Sequence, residues 1–194
     1  VIHIEIDKIL GIDYGGKTTG NCAIAFVEDK EIISFQIPKN RNPDTEIIDF
    51  IKQRKINLVF IDAPLSLPIV YQNPNLGSNY HYRQADIETK AMSPMYLGGF
   101  TARAMELRNN LRDIEVNETY PKEYLKLFNL DYKEELAKRT LTAAMEFTRM
   151  KLKLREEITS KHQFDAILCL FSALRYAKKC HMTYGNEKEG LIYV

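Results

Sequence analysis

The chain has 194 residues, 45% hydrophobic and 27% charged, with a formal net charge of +1, proportions that suit a globular protein able to bury a core. No run approaches the roughly 20 apolar residues of a membrane span, and Val1 to Lys8 mixes Glu5, Asp7 and Lys8 with apolar residues, unlike a secretory leader. A charge this near zero gives no global pull on a polyanion and leaves that work to local basic patches.

Cytoplasm is the expected compartment, with no membrane partner. Cys22, Cys169 and Cys180 are an odd number without paired spacing, and two of them sit in apolar runs. Neither disulfides nor a zinc site is expected from them.

In chain order, Ile9 to Tyr14 predicts a short strand ending at Gly15-Gly16. Cys22 to Val27 predicts a second, turned by Glu28-Asp29-Lys30 into a third at Glu31 to Ile37. Asp44 to Lys55 places Ile47, Ile48 and Ile51 at helical spacing. Leu58 to Ile61 is a continuously apolar strand, of the kind buried on both faces, and stops at Asp62-Ala63-Pro64.

Residues 65–99 dissolve into Pro, Asn, Gly, Ser and Tyr, a stretch too long for an ordinary connection and of the kind that is usually functional or mobile. Beyond it, Phe100 to Leu111 predicts a helix and Ile114 to Glu118 a strand closed by Tyr120-Pro121. Helices are expected over Lys122 to Phe128, Lys133 to about Glu157 and His162 to Lys179, with Leu191 to Val194 as an edge strand.

Three meandering strands, then helix, strand, helix, strand and helices, is the order of an RNase H-like α/β fold. The expectation is one domain over residues 1–194, with a mixed central sheet flanked by helices. In that fold the first strand lies centrally beside the fourth, and their tips meet near the start of a late helix.

Asp13 stands where an apolar strand runs out, and the glycines after it leave room for close approach. It reads either as a turn starter or as a binding group. Asp62 repeats the arrangement, and a charge at the end of a buried strand is costly unless paired or bound to a metal. Asp165 lies in a helix that is apolar almost all round, through Phe164, Ile167, Leu168, Leu170, Phe171 and Leu174. An acid there needs a strong reason.

His162, three residues earlier, shares a face with Asp165 and reads as an orienting group or a helix-start hydrogen bond. Glu118 reads as a fourth acid of the cluster or a solvated loop residue, and Glu189 as a surface charge. Phosphodiester hydrolysis needs an activated water and charge stabilisation on both oxygens of the reaction, which two metal ions about 4 Å apart supply. Mg²⁺ or Mn²⁺ is the expected cofactor, because hard ions take carboxylate oxygen.

The set Gly11-Ile12-Asp13, Ile61-Asp62-Ala63-Pro64-Leu65-Ser66, Glu118-Thr119-Tyr120-Pro121, Asp165-Ala166 and Glu189-Gly190 resembles the family called domain of unknown function 429. That family is predicted to comprise RNase H-like nucleases. More distantly, His162 and Asp165 are similar to the late acidic helix of Holliday-junction resolvases. The resemblance implies a nuclease of DNA or RNA, with Asp13, Asp62 and Asp165 as metal ligands and Glu118 as an auxiliary one. It also implies that Arg83 and Asp86 match an Arg and Asp of the family's middle loop, with Ala85 where a cysteine is usual. Arg83 is then a candidate phosphate contact, and Arg103 a weaker one.

Arg149, Lys151, Lys153 and Arg155 read as a helix face, either solvated or turned to nucleic acid. Two other classes compete with the nuclease. One is an ATP-binding domain of the actin or sugar-kinase type, suggested by the glycine turn after Asp13. The other is an RNase H-like adaptor without turnover.

Overall fold

The computed structural model describes residues 5–130 and 137–194. The meander forms as expected: β1 (Ile9–Asp13), β2 (Ala23–Glu28) and β3 (Glu31–Gln36) are joined antiparallel. Helix α1 (Pro43–Arg54) follows, begun by an Asn42 side chain that accepts from the Asp44 N–H, and leads into β4 (Leu58–Asp62).

The insertion at 65–99 holds two single 3₁₀ turns and two short helices, α2 (Gln84–Thr89) and α3 (Pro94–Leu97). Then come α4 (Gly99–Asn110), β5 (Glu115–Glu118), α5 (Pro121–Leu127), α6 (Ala137–Glu146), β6 (Lys153–Leu154), α7 (Lys161–Ala177), β7 (Thr183–Asn186) and β8 (Gly190–Tyr193). Among the described residues no helix is long and apolar enough to cross a membrane.

The strands make one mixed sheet in the order β6-β3-β2-β1-β4-β5-β8-β7, with β1 parallel to β4 and β4 parallel to β5. The first strand is central and lies beside the fourth, which is the RNase H-like arrangement expected from the element order.

Strand alternation sorts the core into two layers. Leu10, Ile12, Ile24, Phe26, Val59 and Ile61 pack against Ile47 and Ile51 of α1 and Ala104 and Leu107 of α4. Ile9, Ala23, Ala25, Leu58 and Phe60 face α7. The α7 face of the meander is built from small residues, and a Cβ at Gly11 would fall on Leu170 N and Ala166 O of that helix. Glycine at this position lets the backbone of α7 lie directly on β1.

Helix α7 is buried through Phe164, Ile167, Leu168, Leu170, Phe171 and Leu174, which contributes on the order of 10 kcal/mol before ordering entropy is subtracted. Its N-terminus is closed by Ser160, which accepts from the Gln163 N–H while Gln163 Oε1 accepts from the Ser160 N–H. Asp165 therefore has no capping duty.

Three expectations fail. The helix expected over Lys133 to Glu157 ends at Glu146; residues 133–136 of it lie outside the described residues. Past Glu146, Arg149 adopts φ 56° and Lys153–Leu154 joins β3 as a parallel strand, so the basic quartet shares no helix face. Arg155 instead pairs with Glu28 and Glu31, each at 2.8 Å. Leu191 to Val194 is no edge, because β7 pairs antiparallel along the outside of β8.

Candidate active site

Parity along the strands decides which acids meet. Asp13 continues the series Ile9 and Gly11, and Asp62 continues Leu58 and Phe60, so both belong to the α7 side of the sheet. They are also direct partners in the parallel register of β1 and β4. Two carboxylates thus stand side by side where the central strands run out. The close seat of α7 on Gly11 brings His162 and Asp165 to the same place.

His162 Nδ1 lies 2.7 Å from Asp13 Oδ2, with the N–H donating when the carboxylate is ionised. Burial first, then the charge of Asp165, raises the Asp13 carboxyl from 3.8 to about 8, against the ammonium of Lys161. Burial, followed by the charges of Asp13, Asp165 and Glu118, pushes Asp62 well above the usual carboxylate range, and Lys161 again opposes. Desolvation and like charge both favour the protonated acids.

Among the described residues no three His, Cys, Asp or Glu side chains close on one point tightly enough to hold an ion. The chemistry of the set nonetheless suits a hard divalent cation, because the donors are carboxylate oxygens and their repulsion is the imbalance such a cation removes.

Glu118, expected as a fourth acid or a solvated residue, is not solvated: it is 5% exposed, lines one hollow with Asp13 and Asp62, and its charge helps raise the Asp62 carboxyl. It stands level with Ile61 rather than Asp62. There Arg83 grips it at both oxygens, Nη1 donating to Oε2 at 2.7 Å and Nη2 to Oε1 at 2.6 Å, while the Leu65 N–H donates to Oε2 at 3.0 Å. Burial pushes the Glu118 carboxyl up, and the guanidinium pulls it back.

Arg83 is 0% exposed and is held in turn by both oxygens of Asp86 and by Ser66 Oγ. A guanidinium so enclosed has no face left for a substrate phosphate, which corrects the expectation for Arg83. The match of Arg83 with Asp86 is a buried structural pair that ties α2 to the tip of β5.

Arg103 is likewise engaged. Its guanidinium lies 4.1 Å from the Tyr14 ring centroid, donates to the Tyr14 hydroxyl at 2.8 Å and to the Gly15 carbonyl at 2.7 Å, and pairs with Asp44 at 3.1 Å. It braces the turn that follows Asp13. Glu189, expected at the surface, is 8% exposed and accepts from the Ile69 and Gln84 N–H groups, each at 2.9 Å. It pins the β7–β8 hairpin to the insertion.

Two hollows meet at the acids. One, of about 310 Å³, is bounded by the acids Asp13, Asp62, Asp86 and Glu118 and by Thr119, Met92, Leu97 and Phe100. The other, of about 710 Å³, is bounded by Asp62, Asp165, Tyr120, Lys122, Lys126 and Lys161. Neither Thr119 nor these lysines stood out in the sequence as site residues. The only signal for Thr119, Lys122 and Lys126 was their position just after a strand that ends beside β4, where Tyr120-Pro121 reads simply as a stop, and for Lys161 its place at the start of α7.

No protein-family model matches the chain, and no curated protein does. Solved structures similar to it include two of Thermus thermophilus RuvC. One is in complex with a Holliday junction substrate (14% identity over 91% of this chain and 97% of that chain, TM-score 0.46). The second is the RuvC structure by itself (12% identity over 91% of this chain and 98% of that chain, TM-score 0.46).

Proposed function

We propose that the protein is a metal-dependent phosphodiesterase of nucleic acid, with Asp13, Asp62 and Asp165 holding Mg²⁺ or Mn²⁺. The observation that carries this reading is the pair Asp13 and Asp62, in register at the ends of adjacent parallel strands and acted on by the charge of Asp165. The resemblance to the domain of unknown function 429 family points the same way. Two such ions, when bound, supply an activated water and charge stabilisation on the attacking and leaving oxygens.

The chain's own residues divide the remaining work. His162 holds the Asp13 carboxylate in one orientation through a 2.7 Å hydrogen bond and offers a site for the proton that Asp13 loses. Lys161 counters the negative charge of the cluster. Arg83 and Arg103 are positioning residues: the first fixes Glu118 and the tip of β5, the second the Tyr14–Gly15 turn.

A second reading, a nucleic-acid-binding adaptor without turnover, draws on Glu118, whose two oxygens are spent on Arg83. That leaves fewer acids for ions than the family resemblance implies. Incubation with labelled single-stranded, duplex and branched DNA and RNA plus Mg²⁺ or Mn²⁺ separates the two. The phosphodiesterase reading expects cutting of at least one substrate, and a loss of at least about 100-fold in Asp13→Asn, with about 10- to 100-fold in His162→Ala as expected for a group that orients a ligand. No cutting of any substrate leaves the adaptor, and undiminished cutting by Asp13→Asn contradicts the assignment of the activity to this centre.

A further inference from the structure

The two hollows share Asp62 and Tyr120 and differ in the side chains at their rims. The smaller has Met92, Leu97 and Phe100 on its walls beside the carboxylates of Asp13, Asp62, Asp86 and Glu118, the last two of them held by Arg83, and it is also lined by Thr119, 2% exposed, whose Oγ1 has no partner among the described residues. A buried hydroxyl with no hydrogen bond is costly, and a ligand edge presented to it would satisfy both its donor and its acceptor capacity. The larger hollow is rimmed by Lys122, Lys126 and Lys161. Lys126 leans on Glu123 at 3.0 Å yet keeps 59% of its side chain exposed. In a chain of net charge +1, three lysines around one hollow outnumber its two carboxylates, Asp62 and Asp165, and make a local basic rim rather than part of a general field.

The geometry points to an unpaired nucleotide as the occupant: its base enters the smaller hollow and meets Thr119, while its phosphodiester backbone runs along the lysine hollow across Asp62. Flat aromatic bases suit a hollow with apolar walls and a few fixed polar groups. Phosphates suit the lysine side. A base still paired and stacked in a duplex cannot enter a side pocket without leaving the stack, which costs a few kcal/mol. The site therefore selects single-stranded, looped or otherwise unpaired positions. This inference rests on the nucleic-acid reading above, and names the substrate class for the same centre.

Binding measured without turnover keeps the two claims apart. With EDTA present, anisotropy of a labelled oligonucleotide is followed at several salt concentrations for a single strand, its matched duplex and a single strand of abasic sites. The single strand is expected to bind more tightly than either. Thr119→Val should weaken it by about tenfold, the loss of one hydrogen bond to a buried group, and leave the abasic strand unchanged. Met92→Gln, an uncharged change at a position 62% exposed where folding is safe, should act in the same selective way.

Lys122→Gln combined with Lys126→Gln should weaken single and abasic strands alike, and lower the log–log salt slope by about 0.7 per lysine. Equal binding of abasic and base-bearing strands, or no effect of both Thr119→Val and Met92→Gln, overturns the base pocket. An unchanged salt slope overturns the lysine track, and absence of any binding overturns both. Binding of this pattern without cutting in Mg²⁺ or Mn²⁺ overturns the phosphodiesterase reading alone.

Discussion

Protonation of Asp13 ties stability to pH in the opposite sense from a salt-bridged carboxylate. In the unfolded chain its pKa is near 3.9, whereas in the fold burial and Asp165 raise it to about 8. Between those values the folded state binds the extra proton, so stability falls as pH climbs from about 4 to about 8 and levels off above. Asp62 acts in the same direction. Asp13→Asn keeps a partner for His162 and removes the charge. In EDTA at pH 8 it should therefore be more stable than the parent by about 1–2 kcal/mol, the usual scale of relief at a strained site. Thermal melts at pH 5 and pH 8 check this; a variant no more stable at pH 8, with the same pH slope as the parent, contradicts the strained-acid account. Much of this site was legible at the level of single residues. A charge at the end of an apolar strand, repeated at Asp62, and an acid inside the all-apolar stretch around Asp165 each violate local expectation. The fate of Glu118 was not legible, because it depends on a one-residue offset in the β4–β5 register and on Arg83, which lies 35 residues away in sequence.

Close packing of α7 on β1 depends on one residue. A methyl at Gly11 meets backbone atoms of Leu170 and Ala166, which cannot rotate aside. Gly11→Ala should therefore sit at the upper end of overpacking costs, about 3 kcal/mol, or roughly 6–12 °C in melting temperature for a chain of this size. It should also reduce any activity by shifting His162 and Asp165 from Asp13. Guanidinium chloride melts measure the first effect, and an unchanged midpoint would deny the close seat. The periodic elements (β1, α1, β4 and α7) were readable because hydrophobic spacing and burial agree there. The region after α6 was not. Its Lys, Arg and Glu residues favour a helix locally, but Leu154 is drawn into the sheet beside Ile32, and Arg155 is held by Glu28 and Glu31. The C-terminal hairpin failed for a similar reason: Thr183–Asn186 is short and carries a glycine, and its pairing with β8 is set by the turn at Asn186–Gly190.

Across the whole molecule, the sheet order places the tips of β1, β4 and β5 at one end, and the insertion and α5 stand on either side of them. Neither hollow belongs to a single element, so neither could be read from periodicity. The insertion itself is fastened by buried ion pairs, Arg83 with Asp86 and Glu118, and by Glu189 of the last hairpin. It acts as a wall of the cleft. The account stands or falls on whether the acids at these tips take up divalent cations. Crystals soaked in Mn²⁺ and measured for anomalous scattering test this most directly. A peak ligated by Asp13 and Asp62, weakened in crystals of Asp62→Asn, is the predicted result. Anomalous density confined to surface acids, with Asp13 and Asp62 unligated at millimolar Mn²⁺ and pH 8, would contradict the proposed centre.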